Sequence, residues 1–397
     1  MATGPSVAHA AFDKQAGTTV VTRVQSCAPS ASTAIYEIRQ QLNDQALSFV
    51  LILISPSYDR HSVVSALTEA FDEIPVFGCT TAGEIGLSGY DNNSIVALGF
   101  SEDHFRIKMR LIRPIGAYAL DDGAALAADL MAPDGIGEAA LWPHSFMLLL
   151  CDGLSRQEDA IVASLAPSLG EIPLVGGSAG DGLDFRETFV LAHGAFHEEA
   201  AIVAMIRTRC PVKAIRFDNF VPTDRRMVVT GAIPAERIVT EINAEPAARE
   251  YARIVGKDPN HLTPFIFAEN PVVMRIGGEH FCRAIQMVEA NGDLRFLCAI
   301  DEGIVLTVAK SQDIVAHIDR TLTALSTPTK PDVILGFDCV LRRLDVETTQ
   351  RAADMSEVLC RHGVMGFNTY GEQYCGMHVN QTFTGAAIYP PGQDDHV

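Results

Sequence analysis

The chain has 397 residues, 48% of them apolar and 20% charged, with a net charge of −19 at pH 7. That length exceeds one ordinary hydrophobic core and predicts two or three domains. The acidic balance, with no cluster of Lys or Arg, excludes binding to a phosphate backbone, and the longest apolar runs, Phe49–Ile54 and Phe146–Cys151, fall far short of the roughly 20 residues of a membrane span.

Residues 1–17 read as a loose tail without the charge-then-apolar order of a signal peptide, and residues 391–397 as a second tail. Thr18–Ser26 alternates as a half-buried strand, followed by a helix over Ser32–Asp44 and a dense apolar strand over Phe49–Ser55. A helix over Ser62–Phe71 leads to a short strand, Ile74–Phe77, that ends in a Gly-rich turn. Ser94–Phe100 and Phe105–Leu111 are expected to pair as an antiparallel hairpin. The order then repeats with a strand over Phe146–Cys151, a helix over Glu158–Leu169 and a second Gly-rich turn, Gly176–Gly182. Thr188–Ala192 and Ala200–Arg207 are expected to form its hairpin, with His193 and His197 at the bend. Residues 232–327 differ. There 235–255 reads as one helix, followed by strands at Val272–Arg275, Arg283–Val288, Leu294–Ala299 and Val305–Val308 and a helix over Gln312–Leu325. A third round takes Val333–Phe337 as strand, Thr348–Cys360 as helix and Val364–Gly366 as strand. Strands separated by helices predict an α/β class: two domains of mixed sheets flanked by helices, 18–235 and 236–390, with internally repeated strand-helix-strand-turn-hairpin units.

One repeat is direct. Residues 78–98 align without a gap on residues 366–386, so that Gly78, Thr81, Gly83, Glu84 and Asn92 fall on Gly366, Thr369, Gly371, Glu372 and Asn380. Duplicated placement favours an architectural role for Glu84 and Glu372 with Asn92 and Asn380, holding the two turns through backbone N–H groups. Ser155 to Glu158 reads as a capping box. Gly176 to Gly180 matches GxSxG, but the following residues lead into a strand where a nucleophile elbow needs a helix. No Gly-rich turn matches a nucleotide fingerprint, and no catalytic set is assigned: the chain is not read as an enzyme. Nine cysteines, without a CxxC pair, support neither a disulfide framework nor a structural zinc site, and the cytoplasm is the expected location. His193 and His197 flank Gly194 in a turn, where their spacing does not put both rings on one face.

Three further runs, with those above, carry a family resemblance. GCTTAGE at Gly78–Glu84, CDGLS at Cys151–Ser155 and VGGSAGD at Val175–Asp181 resemble the N-terminal half of FIST proteins. CAIDEG at Cys298–Gly303, GFDC at Gly336–Cys339 and GFNTYGEQYCGMHVNQTFTG at Gly366–Gly385 resemble the C-terminal half, so that the similarity spans about residues 20 to 389. The last run is similar to that of the FIST haemoproteins that sense nitric oxide and report to a histidine kinase or a cyclic-di-GMP enzyme. The resemblance implies a sensory module with haem as cofactor, nitric oxide as ligand, and a histidine kinase or a diguanylate cyclase or phosphodiesterase as partner.

In that reading His378 is the iron ligand, since a haem sensor needs a neutral imidazole beside an apolar wall, with His193 and His197 the next candidates, then His317. Arg275 and Arg283, on neighbouring predicted strands, would hold propionates; Arg342 and Arg343 are a similar pair. With no kinase, cyclase or DNA-binding segment in the sequence, the output is expected through contact with another protein, and a homodimer is compatible with it. The alternative is a haem-free sensor that grips a small ligand such as an amino acid with turn amides and arginines.

Overall fold

The computed structural model describes residues 19–42, 46–133 and 141–392; the expected first tail and most of the second lie outside that range. One unit is used three times. In the first, strands Val21–Ser26, Leu47–Ile54, Val76–Thr80 and Ile95–Ser101 alternate with helices Ala31–Leu42 and Arg60–Ala70. The second uses strands Phe105–Ile112, His144–Cys151, Leu174–Ser178 and Ala201–Thr208, and the third uses Val212–Phe217, Val333–Cys339, Val364–Thr369 and Phe383–Ile388. Each set forms the same four-stranded sheet, in the order first, fourth, second, third, with second and third parallel.

Each sheet is completed to six strands by a hairpin from another unit. The first unit's hairpin, Glu84–Gly86 with Gly89–Asp91, joins the third sheet; the second's, Val190–Ala192 with Ala195–His197, joins the first. The third's, Glu372–Tyr374 with Met377–Val379, joins the second. The exchange is cyclic and ties the two ends of the chain into one body. Within each of the three sheets the second and third strands approach closely at a glycine. A Cβ on Gly78, Gly176 or Gly366 would stand 1.6, 1.9 or 1.7 Å from the carbonyl oxygen of the residue it pairs with, Ile52, Leu149 or Gly336.

The central strands are apolar on both faces because both are covered. Phe49, Leu51 and Leu53 join Phe146, Leu148 and Leu150 and Val333, Leu335 and Phe337 in one core shared by the three sheets. Their alternates face outward: Val50, Ile52 and Ile54 pack under the first unit's helices, and Met147, Leu149 and Cys151 under the second's.

A fourth sheet, of eight strands within Phe220–Ser311, is inserted between the first strand and first helix of the third unit, with its own core around Tyr251, Phe267 and Phe296. The division expected at residue 235 falls between its strands Phe220–Ile233 and Ile238–Ile242, which pair with each other.

Several sequence expectations need correction. Ser94–Phe100 and Phe105–Leu111 do not pair: Ile95–Ser101 has both edges taken by Val21–Ser26 and Leu47–Ile54, and Phe105–Ile112 pairs along its full length with Ala201–Thr208 in the next sheet. Likewise Val190–Ala192 turns back on Ala195–His197, so that His193 lies at the turn and His197 on the returning strand. The helix over 235–255 begins only at Ala247. The β-branched run Ile238–Ile242 is a strand that turns at Asn243-Ala244, both with positive φ. Thr348–Cys360 is the end of helix Val340–Thr348, a break at Gln350 (φ 57°), and helix Ala352–Arg361.

Candidate ligand-binding site

The first and third exchanged hairpins are each anchored by a buried carboxylate. Glu84 accepts from the Thr81 hydroxyl and from Ser94 N (3.2 Å) and Oγ (3.0 Å); Glu372 accepts from the Thr369 hydroxyl and from Thr382 N (3.2 Å) and Oγ1 (2.8 Å). Both side chains therefore hold their turns, as the duplicated placement predicts. Asn380 donates to the Tyr370 carbonyl (3.4 Å), whereas its counterpart Asn92 is exposed. Burial pushes Glu84 up to about 7 and Glu372 up to about 8, above the ordinary carboxyl range.

The native state then holds these protons more tightly than the unfolded chain does. Their contribution to stability is full below roughly pH 4.3 and is lost as pH rises through 7 and 8. In urea unfolding, the wild-type midpoint should fall between pH 5 and 8.5, and the double variant Glu84→Gln, Glu372→Gln should fall by clearly less. Equal falls in the two proteins would contradict the assignment.

Around the third hairpin lies a cluster of buried polar groups. Gln373 Nε2 donates to Ser178 Oγ (3.0 Å) and stands 3.4 Å from His378 Nδ1. Gln373 Oε1, His378 Nε2, Asn380 Oδ1 and, between strands Glu279–Cys282 and Ile285–Val288 of the inserted sheet rather than on the strand expected at Arg283, Arg283 Nε and Nη1 are buried without a hydrogen-bond partner. Desolvation holds the His378 imidazole below its ordinary pKa, and Arg283 lies close enough to push the same way. A neutral imidazole with a spare nitrogen is the donor a haem iron takes. The space around it does not fit a porphyrin in this conformation. The ring is 3% exposed and pressed against Gly371, where a Cβ would meet Cε1 at 2.2 Å and Nε2 at 2.7 Å.

The other candidates stand apart. Arg275 is exposed on a strand of the inserted sheet, opposite His280, and His193 is exposed at a hairpin turn of the first sheet. Arg342 is buried against Asp338 and Asn219, and Arg343 against Glu347 and Asn368. The capping box is not formed: the helix starts at Glu158, and Glu158 pairs with Arg237 at 2.7 Å. Ser155 Oγ instead donates to the Asp152 carbonyl (2.7 Å).

That pair leads to a site the sequence did not disclose. Between the second unit and the inserted sheet lies a cleft of about 600 Å³, lined by Arg156, Phe185, Arg237, Met287 and Arg295 among others, with no histidine in its lining. Arg237, 6% exposed, reaches across the junction to Glu158 and Asp159 (3.0 Å) and donates within its own sheet to the Leu297 carbonyl. Phe185 stacks on Tyr370 with centroids 4.3 Å apart. Asp181 holds it there, accepting from the backbone N–H of Phe185, Arg186 and Glu187 and from the Tyr370 hydroxyl. Arg156, Phe185 and Arg237 all have left-handed backbones, at φ 58°, 52° and 56°. Each such conformation costs about 1–3 kcal/mol in a side-chain-bearing residue and tends to gather at ligand clamps and switches. Two of these residues lead toward the third hairpin: Phe185 through Tyr370, and Arg237 through Glu158. Tyr370 immediately precedes Gly371 and the hairpin, and the helix carrying Glu158 packs on strand Met377–Val379. Nothing in the sequence marks them: left-handed Arg and Phe have no glycine signature, and Arg237 falls inside a segment that reads as helix.

Comparison with known families places this architecture. Residues 48–245 match the FIST N domain and residues 247–375 the FIST C domain. No curated protein matches the chain.

Proposed function

The chain belongs to the FIST family, whose domains are signal-transduction sensory domains that bind small ligands, and from that premise we propose that the cleft between the second unit and the inserted sheet is its ligand site. The observation that supports this most is the convergence of three left-handed, non-glycine residues on one cleft. Two connections run from there to the exchanged hairpin Glu372–Val379. One passes through Phe185 and Tyr370, the other through Arg237 and helix Glu158–Leu169. A ligand that binds one arrangement of these groups better than another shifts the hairpin's population, and a partner protein reads the change. The family resemblance suggests a histidine kinase or a cyclic-di-GMP enzyme as that partner.

Ligand screening by thermal shift on the full chain tests the proposal. A small molecule that raises the midpoint of the wild type but not of Met287→Glu supports it. A stabilising molecule whose effect survives Met287→Glu places the ligand elsewhere.

A second reading, haem on His378 with nitric oxide as the signal, is favoured by one observation: a buried, neutral imidazole nitrogen without a partner. It requires the hairpin to open away from Gly371. Protein produced with ample haem should then show a Soret band that shifts with nitric oxide and is lost in His378→Ala. Colourless protein, or an unchanged band in the variant, removes His378 from that role.

A further inference from the structure

Resting on the cleft as the ligand site, we infer that its ligand is an amphipathic anion: an aromatic or acyl body of small-molecule size that ends in a carboxylate or sulfonate. Large apolar side chains stand exposed at the cleft. Leu183 and Met287 in the lining are 53% and 45% exposed. A lip of large apolar side chains around a concavity marks a binding site more often than chance surface composition does. A volume of about 600 Å³ is that of a small-molecule pocket.

The charge part is local. In a chain of net charge −19, the lining carries three guanidinium groups, on Arg156, Arg237 and Arg295, and one carboxylate, Asp184. Arg237 is committed to Glu158 and Asp159, and Arg295 to Glu289. Arg156 is exposed and has no acidic partner among the described residues, yet its backbone is held at φ 58°. A free guanidinium kept in a strained position beside an apolar wall suits an acid group whose body lies on that wall. An apolar tail alone would leave Arg156 unused, and a small polar anion would leave the lip wet.

The probe is anilinonaphthalenesulfonate with the folded full chain. Saturable binding at one site should be displaced by decanoate and not by decyltrimethylammonium. Its Kd should rise at least tenfold in Arg156→Gly and in Met287→Glu, and stay unchanged in Arg275→Ala, which removes an exposed charge elsewhere. Arg156→Gly is chosen because glycine accepts this φ without cost, so lost binding will not reflect lost folding; unchanged near-ultraviolet circular dichroism checks it. The inference is overturned if the dye does not bind, if both cleft variants bind it as the wild type does, or if the cation competes equally. Should a ligand without an acid group stabilise the wild type and fail with Met287→Glu, the anion class falls while the cleft stands. Should every stabilising ligand be indifferent to Met287→Glu, both fall.

Discussion

Replacing Gly366 by alanine should cost the protein at least the roughly 3 kcal/mol at the upper end of overpacking penalties. The new methyl would stand 1.7 Å from the Gly336 carbonyl oxygen, on the paired parallel strand, and a backbone carbonyl between two covered strands has nowhere to go. The same geometry recurs at Gly78 and Gly176. The three alanine variants should therefore be similarly damaging, whereas alanine at the exposed turn glycine Gly194, where nothing lies within 4 Å, should cost much less, chiefly through its positive φ. Urea midpoints of the four variants decide it. Similar losses at all four would mean that the three glycines serve backbone conformation rather than close approach.

The second large effect is expected at Arg237. Its guanidinium is 7% exposed and faces Glu158, 2% exposed. Removing one partner of a buried pair leaves an uncompensated charge, typically at a cost of about 3–5 kcal/mol. Arg237→Met should lose stability on that scale, and Arg237→Met with Glu158→Gln should recover a large part of it, because the buried charge is gone. The inserted sheet also loses its reach to helix Glu158–Leu169, so amide exchange should accelerate in Ala299, which donates to Asp159 (3.2 Å), and in strand Met377–Val379. If the double variant is no better than the single one, the pair is not what makes Arg237 important.

The family and the α/β class were legible in the sequence because both rest on local chemistry. The unbroken apolar runs Phe49–Ile54 and Phe146–Cys151 report strands buried on both faces, and the Gly-Thr-Gly-Glu turns carry side chains that close on residues three before and ten after the glutamate. Hairpin exchange was not legible. Ile95–Ser101 and Phe105–Ile112 look like adjacent strands in any local window, and only the competition among three similar sheets for edges decides their partners. The cleft was hidden for a related reason. Its parts come from Arg156, Phe185, Arg237 and Met287, spread over more than a hundred residues, and backbone strain in Arg or Phe leaves no mark in composition. Glu158 has the spacing of a local cap behind Ser155, yet its partner Arg237 lies 79 positions away.

Occupancy of the cleft should be felt by the hairpin exchanged from the third unit into the second sheet. Hydrogen exchange of the full chain with and without saturating anilinonaphthalenesulfonate measures that directly. Exchange should change within Glu372–Val379 as well as at the cleft wall. A change confined to the residues that line the cleft, with the hairpin amides untouched, would contradict it.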